Sequence, residues 1–279
     1  MTDRYAVLGN PVAHSQSPFI HGEFARQTGQ DIRYDRLLCP LGGFEQTLQG
    51  FADEAGRGCN VTVPFKFDAF RAAAGRSDRA ELAQAANTLR RQGHGWVADN
   101  TDGLGLRRDI EANAGVALSG TRLLLIGAGG AAAGVLGPLL QACPSRTVVV
   151  NRSPDRALAL VQRHEEWAAR HGVVLQARPL DDPGEGFDVV VNASASSLHG
   201  QASPVARGVL RPGTLAVDLM YGPAAQGFLD WAASAGARAR DGLGMLVEQA
   251  AFAFHFWRGV MPHTAPVLAA LRERLQAKG

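Results

Sequence analysis

A lysine and an aspartate stand in two polar loops of this 279-residue chain, Asn60-Val61-Thr62-Val63-Pro64-Phe65-Lys66 and Asp99-Asn100-Thr101-Asp102-Gly103. Both precede a glycine-rich run, Gly127-Ala128-Gly129-Gly130-Ala131-Ala132, that follows an apolar segment ending at Ile126. Residues of these types in this order point to redox chemistry at a hydroxyl, in which a nicotinamide exchanges the hydride and Lys66 with Asp102 handles the proton. For ketone reduction, a Lys66 ammonium donates to the developing alkoxide, while Asp102 orients it and shares the hydrogen bond of the reacting hydroxyl. The plainer reading is a surface ion pair, which is common and worth ~0–1 kcal/mol. The Pro-Phe-Lys turn and the polar Asn-Thr-Asp-Gly loop weigh against it.

The glycine run fits G-x-G-x-x-G/A with alanine in the last place. Gly127 and Gly129 serve a tight turn and close backbone approach to a pyrophosphate, and a small residue at the end lets the helix pack on the strand. Gly127, Ala128, Gly129, Gly130 and Ala131 are therefore the expected diphosphate cradle, at the positive end of the helix that follows. Glycine-alanine runs also occur wherever a helix packs closely on a sheet, but here a strand precedes and a helix follows. The next apolar segment ends in Asn151-Arg152-Ser153, with Arg156 close behind, where an NAD enzyme usually carries an acid for the ribose. Arginine attracts a 2′-phosphate that an acid would repel, so NADP is the expected cofactor. Arg152 and Arg156 would clamp it, with Asn151 and Ser153 as hydrogen-bond donors; ordinary surface arginines at a helix start are the alternative.

Elements that could position these residues follow from hydrophobic periodicity. Over the first hundred residues, strands are expected at 5–8, 34–38 and 60–63, with helices at 18–27 and 44–55. A cleaner rhythm begins at Thr121, with strands at 122–126, 147–150, 188–191 and 215–218. That spacing predicts a doubly wound parallel sheet. Two further helices, at 246–257 and 265–276, close the chain. The expected fold is α/β with two domains. An N-terminal α/β substrate domain, residues 1–102, is completed by helices within 243–279, and a Rossmann-type NADP domain spans 103–242. Asp241-Gly242-Leu243-Gly244 marks the return, and hinges near Gly103 and Gly242 are expected.

Composition narrows the partners. Lys and Arg number 28 against 26 Asp and Glu, a net charge of +2, which gives no basis for a nucleic-acid groove or an anionic membrane surface. A small molecule is the expected partner. Cys39, Cys59 and Cys143 form no CxxC pair, and His14 and His21 are far from other ligand types, so neither disulfides nor a metal is expected, and the cysteines suit a reducing cytoplasm. No apolar run of signal-peptide length opens the sequence. Residues 123–140 carry no charge, but five glycines and Pro138 favour a strand, loop and buried helix over a membrane span.

Seven segments in order resemble the shikimate dehydrogenase family over nearly the whole chain. They are Gly9-Asn10-Pro11-Val12-Ala13-His14-Ser15-Gln16-Ser17-Pro18, residues 60–66, Ala86-Asn87-Thr88, Asn100-Thr101-Asp102-Gly103, the glycine loop, Asn151-Arg152-Ser153, and residues 241–251. The resemblance implies reversible oxidation of shikimate to 3-dehydroshikimate with NADP, in the pathway to aromatic amino acids. It also implies that Ser15 and Ser17 hold the substrate carboxylate, and that Lys66, Asn87, Asp102 and Gln249 contact the ring hydroxyls. Asn60 and Thr62 supply further polar partners. Asp218-Leu219-Met220-Tyr221 resembles the segment beside the nicotinamide, where Leu219 would meet cofactor and Tyr221 would reach substrate or else cap a strand end. By the same resemblance Asn192 and Gly242 border the cofactor.

Three departures stand out. Gln16 and Ala133 replace a common lysine and arginine, and Ala225-Gln226-Gly227-Phe228 replaces a Thr-Pro-Phe sequence. The alternatives are a dehydrogenase that also takes quinate, whose ring carries one more hydroxyl, and a non-catalytic NADP(H) sensor. Monomer and homodimer both remain open.

Overall fold

A computed structural model describes residues 2–194, 196 and 203–277. The chain divides into two units, one formed by residues 1–105 together with 247–279, the other by residues 106–246.

In the first unit, β1 (Asp3–Gly9), β2 (Ile32–Leu38) and β3 (Gly56–Val61) run parallel, connected by α1 (Ser17–Thr28) and α2 (Phe44–Asp53). Pro18 sits where a helix start tolerates a missing N–H, and Gly29 ends α1 at φ 64°, a conformation that a Cβ disfavours. After α3 (Lys66–Ala72), β4 (Gly75–Arg76) and α4 (Asp78–Ala83), the chain forms a hairpin of β5 (Thr88–Gln92) and β6 (Gly95–Asp99). The sheet order is β2-β1-β3-β5-β6-β4, with β5 antiparallel to both neighbours. Its core gathers Leu8, Phe44, Leu48, Phe51, Cys59, Phe65, Leu89 and Trp96, and each large apolar side chain removed from water contributes about 1.5–3 kcal/mol.

The unit is completed from far along the chain. Trp257, on α9 (Leu243–Arg258), donates its indole N–H to the Leu89 carbonyl at 2.9 Å, and Arg258 reaches Asp3 at 2.5 Å and Gln30 at 2.7 Å. Gly58 makes room for this docking, since a Cβ there would stand 2.7 Å from the Trp257 nitrogen. The final helix, α10 (Thr264–Gln276), lies against α1.

The second unit strings β7 (Arg122–Ile126), α6 (Gly130–Gln141), β8 (Arg146–Val150), α7 (Pro154–Arg170), β9 (Val174–Arg178), β10 (Val189–Asn192), β11 (Leu215–Asp218), α8 (Gln226–Ala233) and β12 (Arg238–Arg240). All six strands are parallel, in the order β12-β11-β10-β7-β8-β9. Counted within the unit this is 3-2-1-4-5-6 from the β9 edge, the doubly wound Rossmann order, with its switch point between β7 and β10. Leu123 to Ile126, Val148 to Val150, Val189 to Val191 and Leu215 to Val217 are buried. Helices cover both faces of such a sheet, which explains unbroken apolar runs rather than alternation.

Both crossings between units fall inside helices. One is in α5 (Asp102–Arg108), which runs on into a π-helical turn at Asp109–Asn113, and the other is in α9. They come a few residues after the loops at Asp102 and Gly242 because the helical backbone continues without a break. Among the described residues, no helix is long and apolar enough to cross a membrane.

Candidate active site

Lys66 opens α3 immediately after a turn closed by a Phe65 N–H to Thr62 carbonyl bond of 3.0 Å. Phe65 is buried against Phe44, with ring centroids 5.6 Å apart, and so fixes the start of the helix. Asp102 opens α5, and its N–H is received by the Asn100 side chain at 3.2 Å. The Lys66 Nζ donates to Asp102 Oδ2 at 2.5 Å, with the two side chains only 14% and 6% exposed. That burial separates the pair from a solvated surface bridge.

The second carboxylate oxygen is held as well. Asn87 Nδ2 donates to Asp102 Oδ1 at 2.9 Å and lies 2.9 Å from Thr101 Oγ1 and 3.1 Å from Gln249 Oε1. Asn87 Oδ1 accepts from the Thr101 N–H at 2.8 Å, which fixes its amide orientation. Gln249 belongs to α9, and the helices α5 and α9 meet where only glycine fits. A Cβ on Gly105 would stand 2.5 Å from the Gln249 nitrogen.

A second polar cluster surrounds Asn60. Its Nδ2 faces the Asn87 carbonyl at 3.2 Å and Thr88 Oγ1 at 3.1 Å. A backbone carbonyl cannot donate, so Oδ1 must be the atom facing Tyr34 and His21. It accepts from the Tyr34 hydroxyl at 2.7 Å and lies 3.1 Å from His21 Nε2. His21 therefore carries its proton on Nε2. Its ring stacks on Tyr34 at 4.4 Å and 7°, is fully buried, and has a pKa pushed down to about 3 by that burial, against a smaller upward pull from Asn60. Burial also raises Tyr34 well above the usual phenol value, while its hydrogen bond with Ser17 pulls the other way.

Ser17 starts α1, and the Ser15 hydroxyl donates to the Ser17 hydroxyl at 3.1 Å. Thr62 donates its N–H to the Leu8 carbonyl at 2.9 Å. Its methyl lies beneath Gly9, where a Cβ would stand 2.3 Å from it. Thus Ser15, Ser17, Asn60, Thr62, Lys66, Asn87, Asp102 and Gln249 all belong to the first unit, and hydrogen bonds link Asn60, Lys66, Asn87, Asp102 and Gln249 into one network.

In the second unit, Gly127 has φ 114°, and a Cβ there would stand 2.9 Å from the Ala193 carbonyl carbon, so glycine is required. Gly129 differs. Its φ is −91°, and among the described residues nothing lies within 4 Å of where its Cβ would be. Neither backbone strain nor the described residues' own atoms demand glycine there. The start of α6 carries no capping side chain and no acid in its first turn, leaving Gly130, Ala131 and their neighbours free to meet an anion. These residues fit a dinucleotide diphosphate.

Arg152, Ser153 and Arg156 are exposed at the start of α7, and neither arginine is paired with a carboxylate among the described residues. Asn151 directs one amide N–H to the Ser153 carbonyl at 3.0 Å, which shapes the turn. At the ends of β10 and β11, Asn192 Nδ2 donates to the buried Asp218 at 3.1 Å, and the Leu219 N–H to the Asn192 carbonyl at 3.0 Å. Gly242 lets the chain pass that loop, with a Cβ there only 2.3 Å from the Leu219 oxygen. Tyr221 follows β11 and precedes a short 3₁₀ turn, Gly222–Ala225.

Residues 7–89 match the family model of the shikimate dehydrogenase substrate binding domain, 110–218 that of shikimate/quinate 5-dehydrogenase, and 242–272 that of the shikimate 5′-dehydrogenase C-terminal domain. Over 276 residues the chain is 64% identical to shikimate dehydrogenase (NADP(+)) of Methylibium petroleiphilum, covering 97% of this chain and 94% of that one. The chain belongs to the shikimate dehydrogenase family. Its fold superposes on the Ael1 enzyme from Pseudomonas putida with a TM-score of 0.88 at 46% identity, covering 97% and 98% of the two chains. For the shikimate 5-dehydrogenase of Thermus thermophilus, solved in complex with NADP(H) and shikimate, the TM-score is 0.84 at 34% identity, with 98% and 99% covered.

In this member of the shikimate dehydrogenase family, the residues that sequence reasoning did not assign to the site are Thr88, Thr101, Tyr34 and His21. Thr101 and Thr88 lie within segments that resemble the family, Asn100-Thr101-Asp102-Gly103 and Ala86-Asn87-Thr88. His21 had a usable signal, since it follows Ser17 by four positions and so shares its helical face.

Proposed function

We propose that this chain interconverts shikimate and 3-dehydroshikimate with NADP, and that Lys66 and Asp102 are the proton-transfer pair. The observation that carries the reading is the shielded Lys66–Asp102 hydrogen bond of 2.5 Å, with Asn87 holding the other carboxylate oxygen. A lysine so oriented donates to an alkoxide as it forms, or shares the proton of a hydroxyl being oxidised. Asn87, Gln249, Asn60 and Thr62 offer neutral partners for ring hydroxyls, and Ser15 with Ser17 supplies donors for the carboxylate. Tyr221 is a further substrate contact in this reading.

The first unit serves the substrate and the second serves NADP, which supplies or accepts the hydride when bound. Gly127, Ala128, Gly129, Gly130 and Ala131 cradle its diphosphate, Asn192, Leu219 and Gly242 border it, and Asn151, Arg152, Ser153 and Arg156 receive the 2′-phosphate. Arg152→Asp is expected to weaken NADP by about ten- to hundredfold, the worth of a charge-assisted hydrogen bond, while barely changing NAD. Binding isotherms for both cofactors check this, and equal losses would remove Arg152 from the selection. We also infer a cytoplasmic enzyme, acting as monomer or homodimer, to which the free Cys39, Cys59 and Cys143 are suited.

The deciding experiment follows nicotinamide absorbance with shikimate or quinate, each with NADP or NAD. Turnover concentrated in the shikimate and NADP combination supports the reading. Comparable kcat/KM for quinate favours dual specificity, and NADPH binding without turnover of either acid overturns the enzymatic reading.

A further inference from the structure

Arg36 lies on β2 and takes the Ser15 carbonyl oxygen with two of its nitrogens, Nε at 2.9 Å and Nη2 at 2.5 Å. A guanidinium fork matches a carboxylate or phosphate better than a single carbonyl, on which both nitrogens converge here. Among the described residues no carboxylate is paired with Arg36, and its neighbour Asp35 bonds to Arg33 instead. Two of its five N–H groups are engaged, which leaves three and the full positive charge.

The residue it grips is the one whose hydroxyl donates to Ser17. Gln16 between the two serines is neutral, with its amide nitrogen donating to the His14 carbonyl at 3.0 Å, and the Lys66 charge is matched by Asp102. Serine hydroxyls can donate hydrogen bonds to an anion but supply no net charge to offset its desolvation.

We propose that Arg36 is the electrostatic anchor for the substrate's carboxylate, selecting an anionic ring acid at the Ser15 and Ser17 hydroxyls. The proposal rests on the functional reading above and adds the source of charge discrimination to it. Through the Ser15 carbonyl the guanidinium is also a positioning residue for the serine loop, so a test must separate charge from shape.

The measurement is kcat/KM for shikimate and for its uncharged methyl ester, in wild type, Arg36→Gln and Arg36→Lys, at low and high salt. A single charge acting on a carboxylate near a protein surface, between the fully aqueous and the partly shielded limits, is worth about tenfold in binding. The expected result is that Arg36→Gln lowers the acid-to-ester ratio about tenfold, chiefly through KM for the acid, while Arg36→Lys keeps most of it. Added salt should lower the ratio in wild type and leave it nearly constant in Arg36→Gln. Equal losses for acid and ester, with the ratio preserved, would show that Arg36 only holds the loop and would overturn the proposal. Absence of turnover of either compound by wild type would instead remove the functional reading on which it rests.

Discussion

Replacing Lys66 with methionine is expected to lower kcat for shikimate oxidation by about a thousandfold, within the 10²–10⁴ range of positioned acid/base groups. Methionine retains most of the side-chain volume and removes the proton donor. The substitution also strands Asp102, whose side chain is 6% exposed, and breaking a buried pair from one side costs about 3–5 kcal/mol. Lost activity could therefore reflect lost folding, and a second variant separates the two. Lys66→Met combined with Asp102→Asn removes the unpaired charge, and the amide introduced by the second substitution can still meet Asn87 through its carbonyl. The denaturant midpoint of this double variant should recover toward wild type while kcat stays low. If activity returned together with stability, Lys66 and Asp102 would be a structural pair and the assignment of proton transfer would fail.

Acidification from pH 7 to 5 is expected to destabilise the fold by about 4 kcal/mol, each of two buried histidines contributing about half. His21 and His164 are both fully buried, and burial lowers their pKa values from 6.5 to about 3 and about 4. The sign follows from proton uptake. Below pH 6.5 the unfolded chain protonates both rings while the folded chain keeps them neutral. Protons therefore favour unfolding, by about 1.4 kcal/mol per pH unit and per histidine, until the folded pKa is reached. Above pH 6.5 the contribution is fully present. At His164 the bond between Nδ1 and the Leu160 carbonyl, 2.9 Å long, offsets burial only in part, and among the described residues Nε2 has no partner to stabilise a charged ring. Urea midpoints at pH 7 and 5 should differ strongly in wild type and about half as much in His164→Leu. A midpoint independent of pH over this window would contradict the buried neutral state of both rings.

The parts of the fold that could be read from sequence are those whose local pattern matches their environment. Strands expected at 122–126 and 215–218 are observed as Arg122–Ile126 and Leu215–Asp218, because burial on both faces writes a continuous apolar run. The edge strands β9 and β12 escaped that test. Arg238-Ala239-Arg240 becomes a strand by pairing with β11, and Arg240 is drawn in by the buried Asp109 at 2.5 Å, a partner remote in sequence. The β5–β6 hairpin was hidden in the same way. Arg90 and Arg91 interrupt the apolar pattern, yet their guanidiniums lie 4.6 and 5.3 Å from the Phe256 and Trp96 rings. The turn Gly93-His94, with Gly93 at φ 59°, was the available signal.

At the site, Lys66 and Asp102 stood out by type and by their loops. The orientation of Asn60 did not, because it depends on a backbone carbonyl at Asn87 that has no side-chain code. His21, which the sequence shows only to be far from other ligand types, is buried against Tyr34 and bonded to Asn60.

The first unit is discontinuous in the chain, and this sets an order of events on the ribosome. Residues 106–246 form a contiguous block that can fold as soon as it emerges, whereas residues 1–105 must wait for the segment beginning at Val247. Until then the Leu89 carbonyl lacks Trp257, Asp3 lacks Arg258, and Asn87 lacks Gln249. A nascent polypeptide stalled before Val247 therefore carries a completed nucleotide-type sheet beside an unfinished partner. Gln249 joins the polar network around Lys66 and Asp102 only after α9 has been made, so chains stopped before Val247 lack that contact with Asn87.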